Sequence, residues 1–230
     1  MKQTILITGA SQGIGQATAQ ALANKDTHLI LSARNLTHLE KTDDLVRNQG
    51  GSATLISHDL RNFPGIQEMA TNLAQRYTRL DGLILNGGTL GHLQSLEDLD
   101  PLHFGEVIET NLVANFLFLK TFAPLLRAGQ ANVLALTTGA VPHPRAYWGA
   151  YAASKAGLEA LTLTFAQEMG PKMQVNLFDP GRVRTRMRAT AYPGEDPMNV
   201  RPADEIGEII ARLMQDPNLG TGQRLHADDY

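Results

Sequence analysis

The stretch "TGASQGIG", Thr8 to Gly15, follows directly on a short apolar run, Ile5 to Thr8, and opens an apparent helix near Gly13 to Asn24. A strand that ends in closely spaced glycines and runs into a helix matches the first crossover of a nucleotide-binding α/β sheet. Gly9 can make the tight turn, Gly13 permits close approach of a pyrophosphate, and Gly15 lets the helix pack near the strand. Ser11 and the backbone amides of the helix start, from Gln12 to Ile14, can hold phosphate oxygens against the positive helix end. The other reading is a glycine-rich turn that serves packing alone. Its position between strand and helix counts against that.

Working outward, the same alternation repeats. "HLILSA" (28–33), "ATLISH" (53–58), "GLILN" (82–86), "NVLALTT" (132–138) and "MQVNLF" (173–178) read as further strands, with a weaker one near Gln223 to Ala227. Between them, apolar residues recur at spacings of three and four, as in Ile66, Met69, Leu73 and Tyr77. Long helices are expected around Phe104 to Leu126 and Ala150 to Met169, and a last one around Asp204 to Met214. Short strands alternating with helices predict a doubly wound, mainly parallel α/β sheet of about seven strands, with helices on both faces. One Rossmann-type domain over residues 1–230 is expected, and its ligands belong beyond the carboxyl ends of the strands.

The strand ends carry the candidate site. After the second strand, Ala33 replaces the acid that a NAD site uses for the ribose hydroxyls, and Arg34 can pair with a 2'-phosphate. An ordinary exposed arginine explains Arg34 alone; with the glycine loop upstream, NADP(H) is favoured. Asp59 and Leu60 end the third strand, where the aspartate can reach an adenine amino group or simply cap a solvated turn. Asn86, Gly87 and Gly88 give a compact path where an adenosine ribose can lie close to the chain.

The reacting end is "WGAYAASKAG", 148–157. Tyr151 and Lys155 fall one helical turn apart on one face, among small residues. Lys155 can bind nicotinamide-ribose hydroxyls, and its charge is expected to lower the Tyr151 pKa. Thr138 can orient a substrate carbonyl beside the phenol, and Asn111, costly within a helix, can order water or backbone groups behind Lys155. In "DPGRVRT" (179–185), Pro180 and Gly181 turn the chain, and Val183 and Thr185 can face the nicotinamide amide. Residues 184–203 lack a clear apolar period, which suits a substrate lid or a plain surface loop.

These motifs, in this order from 8 to 185, resemble the short-chain dehydrogenase/reductase family. "YWGAYAASK" and "RTRMRATAYPGEDP" further resemble the YciK branch of bacterial short-chain oxidoreductases. The resemblance implies an NADP(H)-dependent oxidoreductase acting on a carbonyl or secondary alcohol, with Tyr151, Lys155, Asn111 and Thr138 as its catalytic residues. It also implies a homodimer or homotetramer. Apolar residues beyond one sheet-facing stripe, Phe116, Phe118, Leu161, Leu163 and Phe165, mark the two long helices as the contact. Three departures from the family pattern stand out: Thr138 stands for its serine, Leu85 and Gly87 alter its "NNAG", and Gln12 replaces a basic phosphate contact. Softer ribose support is the expected result. A cofactor-binding regulatory or scaffold protein with little turnover and a NAD-dependent alcohol dehydrogenase are the competing functions.

Composition narrows the rest. The net charge of -3, with signs interspersed, argues against nucleic-acid and polybasic membrane surfaces. Zero cysteines exclude disulfides and thiolate chemistry, and the seven histidines form no metal motif. No stretch approaches roughly 18 uncharged apolar residues, and the first strand leaves no room for a secretory signal. A cytoplasmic location is expected.

Overall fold

In β1 (Gln3–Thr8), Ile5, Leu6 and Ile7 have no exposure, apolar at consecutive positions because both faces of the strand are covered. The computed structural model describes residues 2–230. The chain proceeds through α1 (Gly13–Leu22), β2 (Thr27–Ala33), α2 (Leu36–Asn48), β3 (Ser52–Ser57), α3 (Phe63–Ala74) and β4 (Gly82–Leu85). A continuous helical stretch follows: α4 (Pro101–Ile108), a π-helical turn (Glu109–Val113) and α5 (Ala114–Gly129). Then come β5 (Asn132–Leu136), α6 (Gly149–Met169), β6 (Gln174–Asp179), β7 (Val183–Arg184) and α7 (Arg186–Ala191). The chain continues with β8 (Arg201–Pro202), α8 (Ala203–Gln215) and β9 (Arg224–His226).

Seven strands form one parallel sheet in the order β3-β2-β1-β4-β5-β6-β9. Side-chain alternation divides its apolar residues between two cores. Ile5, Ile7, Leu29 and Leu31 face α1 and α8, whereas Leu6, Ile30, Leu83 and Leu85 face α3, α5 and α6. The order reverses between β1 and β4, which opens a crevice at their carboxyl ends.

Local chemistry sets the boundaries. α1 stops at Leu22, short of Asn24, because the Thr27 hydroxyl donates to the Leu22 carbonyl at 2.9 Å and closes a turn. The α4–α5 stretch starts earlier than expected, at Pro101, where Asp100 accepts from the Leu102 amide at 2.8 Å. It reaches the length and composition of a membrane span, yet Phe118, Phe122 and Leu126 are fully buried against the sheet.

Two expectations change. Residues 184–203 are structured: β7 pairs with β8 around α7 and a short 3-10 turn. Of the proposed contact residues, Phe118 and Phe165 pack within the subunit, while Phe116 remains 42% exposed. Leu163 also packs against the core formed with α5 and α6.

Candidate active site

The floor of the crevice is stitched by polar side chains between β1 and β4. The Thr8 hydroxyl accepts from the Asn86 and Gly87 amides at 3.1 and 3.0 Å. Asn86 in turn donates to the Thr8 and Gly9 carbonyls, both at 3.0 Å. Gly9 has φ +66, and a Cβ there would meet Gly87 at 2.8 Å, so its turn requires glycine. The altered "NNAG" positions are closely packed. A Cβ on Gly87 would meet the Leu60 side chain at 2.9 Å, and Leu85 is fully buried. Leu60 therefore fills the space that an alanine methyl would need.

The residues of the glycine loop lie together at the start of α1. Gln12 is its N-cap and makes no side-chain cap, so Ser11, Gly13, Ile14 and Gly15 surround a helix start without a side-chain acceptor. Gly13 faces Thr185 across the crevice; a Cβ on Gly13 would lie 3.3 Å from the Thr185 methyl. Such a bare, positively polarised helix end suits a pyrophosphate. Arg34 is exposed at the end of β2. Asp59 accepts from the Arg61 amide at 2.9 Å, which commits one of its oxygens to a turn. Pro180 and Gly181 follow β6; Gly181 has φ +67 and donates to Asp179 at 3.0 Å. Val183 is buried in the core beneath α8, which leaves its backbone for a cofactor contact.

At the reacting end, Tyr151 and Lys155 lie on the first turns of α6, 9% and 4% exposed. Small neighbours permit that burial: a Cβ on Gly157 would strike Leu112 at 2.8 Å. Lys155 Nζ donates to the Leu136 carbonyl at 2.8 Å, and lies 6.0 Å from the centre of the Tyr151 ring. The expected depression of the phenol is overturned. Burial pushes Tyr151 up to about 12, against the pull of the neighbouring Thr138 hydroxyl. Burial likewise pushes Lys155 down to about 8, opposed by Glu159. The dry environment outweighs the Thr138 hydrogen bond at the phenol and the Glu159 charge at the ammonium.

Asn111 does not bond Lys155 with its side chain. It sits fully buried in the π-helical turn, where its amide accepts from the Thr89 amide at 2.7 Å and donates to the Thr89 carbonyl at 2.8 Å. It also donates to Ser154 at 3.0 Å, one residue before Lys155. Within this widened turn the buried Asn111 carbonyl accepts from the Asn115 side chain at 2.7 Å. Asn111 thus ties the loop after β4 to the helix that carries Tyr151 and Lys155.

Beneath Thr138 lies a charged network that sequence reading missed. Arg224 of β9 donates to the Thr138 carbonyl at 3.0 Å and to Asp179 at 3.3 Å. It also pairs with Glu159, which accepts from Thr137. The signal available was helical: Glu159 repeats the spacing of four that links Tyr151 to Lys155. Trp148 was missed as well; its ring meets Tyr151 edge-on at 5.7 Å.

Fold and site define a dinucleotide-dependent oxidoreductase architecture, and the family profile "short chain dehydrogenase" matches residues 3–196. The chain belongs to that family. The uncharacterized oxidoreductase YciK of Escherichia coli (strain K12) is 34% identical, over 92% of this chain and 86% of that protein. The sepiapterin reductase of Chlorobaculum tepidum is 28% identical, over 94% and 91% of the two chains. The crystal structure of a short-chain dehydrogenase from Escherichia coli CFT073, complexed with NADPH, superposes with a TM-score of 0.91. It is 32% identical and the match covers 98% of this chain and 96% of that one.

Proposed function

We propose that this protein is an NADP(H)-dependent reductase of a carbonyl compound. The observation that carries the reading is the convergence of Tyr151, Thr138 and Lys155 at the carboxyl end of β5, beside the crevice that begins at the glycine loop. The bare start of α1 would hold the pyrophosphate, Arg34 the 2'-phosphate, and Lys155 the nicotinamide ribose. The NADPH bound by the Escherichia coli CFT073 relative supports this choice of cofactor.

When bound, the reduced nicotinamide supplies a hydride from C4 to the carbonyl carbon. Thr138 donates a hydrogen bond to the carbonyl oxygen and holds it beside Tyr151. Tyr151 gives its proton to that oxygen as the alcohol forms. A pKa of about 12 keeps the phenol protonated at neutral pH, the form that reduction requires. In the oxidation direction Tyr151 would take that proton back as the base. Asn111 positions α6 through Ser154, and the segment 184–203 covers the substrate as a lid. A homodimer or homotetramer formed through exposed apolar residues of α5 and α6 completes the reading.

NADPH consumption against a chemically diverse carbonyl library, with product identification, tests the proposal. Turnover of at least one carbonyl to its alcohol is expected. Tight NADPH binding with no oxidation across the library would favour a cofactor-binding protein with little turnover.

A further inference from the structure

A cleft of about 490 Å³ opens beside Thr138, over the ends of β5, β6 and β9. Four arginines line it, Arg145, Arg182, Arg188 and Arg201, against two aspartates, Asp179 and Asp228. Their partners decide how much of that charge is free. Arg188 is held by both oxygens of Glu195, at 2.6 and 2.7 Å. Arg201 is held by Glu205 and Asp228, each at 3.1 Å. Asp179, on the floor, shares the Arg224 guanidinium with Glu159.

Two guanidiniums remain. Arg182 reaches only the edge of Glu195, at 3.9 Å, on a carboxylate that Arg188 already engages bidentately. Arg145 has no carboxylate partner among the described residues; one of its N–H groups meets the Tyr192 hydroxyl. Its guanidinium lies 5.8 Å from the centre of the Trp148 ring, whose other neighbours are Tyr151 at 5.7 Å and Tyr192 at 5.9 Å. Arg145 therefore stands one indole ring away from the phenol. A planar aromatic wall separates an unneutralised cation from the group that would protonate a carbonyl oxygen.

The geometry points to an anionic substrate: a carbonyl compound that also carries a carboxylate or phosphate, received by Arg145 with support from Arg182. The inference rests on the reductase reading. The bidentate donors of Arg145 suit either anion. The breadth of Trp148 suits a flat or extended spacer between the anion and the carbonyl.

The test uses the full chain with NADPH and matched pairs of probes. These are 4-carboxybenzaldehyde against methyl 4-formylbenzoate, and dihydroxyacetone phosphate against dihydroxyacetone. Wild type should prefer at least one anion over its neutral partner by about tenfold or more in kcat/KM, chiefly through KM. In Arg145→Gln that preference should collapse to within about threefold. Equal constants for anion and neutral partner in wild type, or a preference untouched in Arg145→Gln, would overturn the inference. Should no probe be reduced, the chain's single tryptophan reads binding directly. Saturable quenching of Trp148 by terephthalate, absent with dimethyl terephthalate and weakened in Arg145→Gln, would sustain the anion site while the reductase reading failed. No quenching would overturn the anion site itself.

Discussion

Lys155 Nζ is bonded to the carbonyl of Leu136 at 2.8 Å and stands 6.0 Å from the Tyr151 ring, so the ammonium is anchored to β5 and not to the phenol. The roles of the two groups should therefore separate. Tyr151→Phe keeps the ring and should lower turnover by about 10²–10⁴-fold with NADPH affinity nearly unchanged. Lys155→Met should damage both turnover and affinity, because it removes the ribose donor as well as the charge. Single-turnover rates beside equilibrium NADPH titrations make the comparison. Near-wild-type turnover in Tyr151→Phe would reduce the pair to packing.

The same burial makes stability depend on pH in a defined direction. Lys155 falls from an ordinary 10.5 to about 8 in the folded protein. Between those values the unfolded chain binds more protons than the folded one, so stability rises with pH across that window. Below it the full penalty of burying the ammonium applies. Tyr151 works the other way: raised from 10.0 to about 12, it makes stability fall as pH climbs above 10.0. Urea midpoints measured at about pH 7.5 and about pH 9.5 should show a gain at the higher pH that Lys155→Met lacks. Parallel profiles for the two proteins would contradict a buried ammonium.

Cofactor choice turns on Arg34, exposed where β2 ends. Arg34→Asp replaces attraction for a 2'-phosphate by repulsion. NADPH affinity should drop by roughly tenfold or more, with NADH affected much less. Titration of both cofactors against both proteins decides it. Equal affinity of wild type for NADH and NADPH would remove the argument from Arg34.

Arg224 should matter for turnover although it lies on the last strand. Arg224→Leu leaves Glu159 and Asp179 without their cation and frees the Thr138 carbonyl. A stability loss of roughly 1–3 kcal/mol is expected, with kcat reduced more than NADPH affinity. Denaturation and steady-state kinetics on one preparation measure both. An unchanged kcat would show that Thr138 keeps its orientation unaided.

Association through α5 and α6 is now a narrower prediction. Phe116 is the proposed contact residue that remains most open to solvent, at 42%. Phe116→Asp should shift the protein toward a lower mass by light scattering at micromolar concentration. A monomeric wild type would dispose of the interface.

The fold was legible because parallel strands need apolar runs at consecutive positions, and Ile5 to Ile7 or Leu83 to Leu85 supply them. The glycine loop and the Tyr151–Lys155 pair were legible because one turn of backbone relates their parts. Two features were not. The direction of the Tyr151 shift depends on how completely α6 is covered, which no spacing records. The partnership of Arg224 with Thr138 arises from the register of β6 with β9, across 86 residues of chain. Asn111 lay between these cases: its residue type was visible, but its bonds to Thr89 required the π-helical turn.

The anchoring of Thr138 by Arg224 also has a temporal meaning. During synthesis the glycine loop, Thr138, Tyr151 and Lys155 all leave the ribosome before residue 224, yet the carbonyl of Thr138 meets its guanidinium only when β9 has docked beside β6. Non-local parallel pairing is slow to form, and partly folded sheets expose reactive surface. A nascent chain therefore carries the glycine loop, Tyr151 and Lys155 while the carbonyl of Thr138 still lacks its guanidinium partner. The last crossover of the sheet is thus the element that brings the guanidinium to the Thr138 carbonyl.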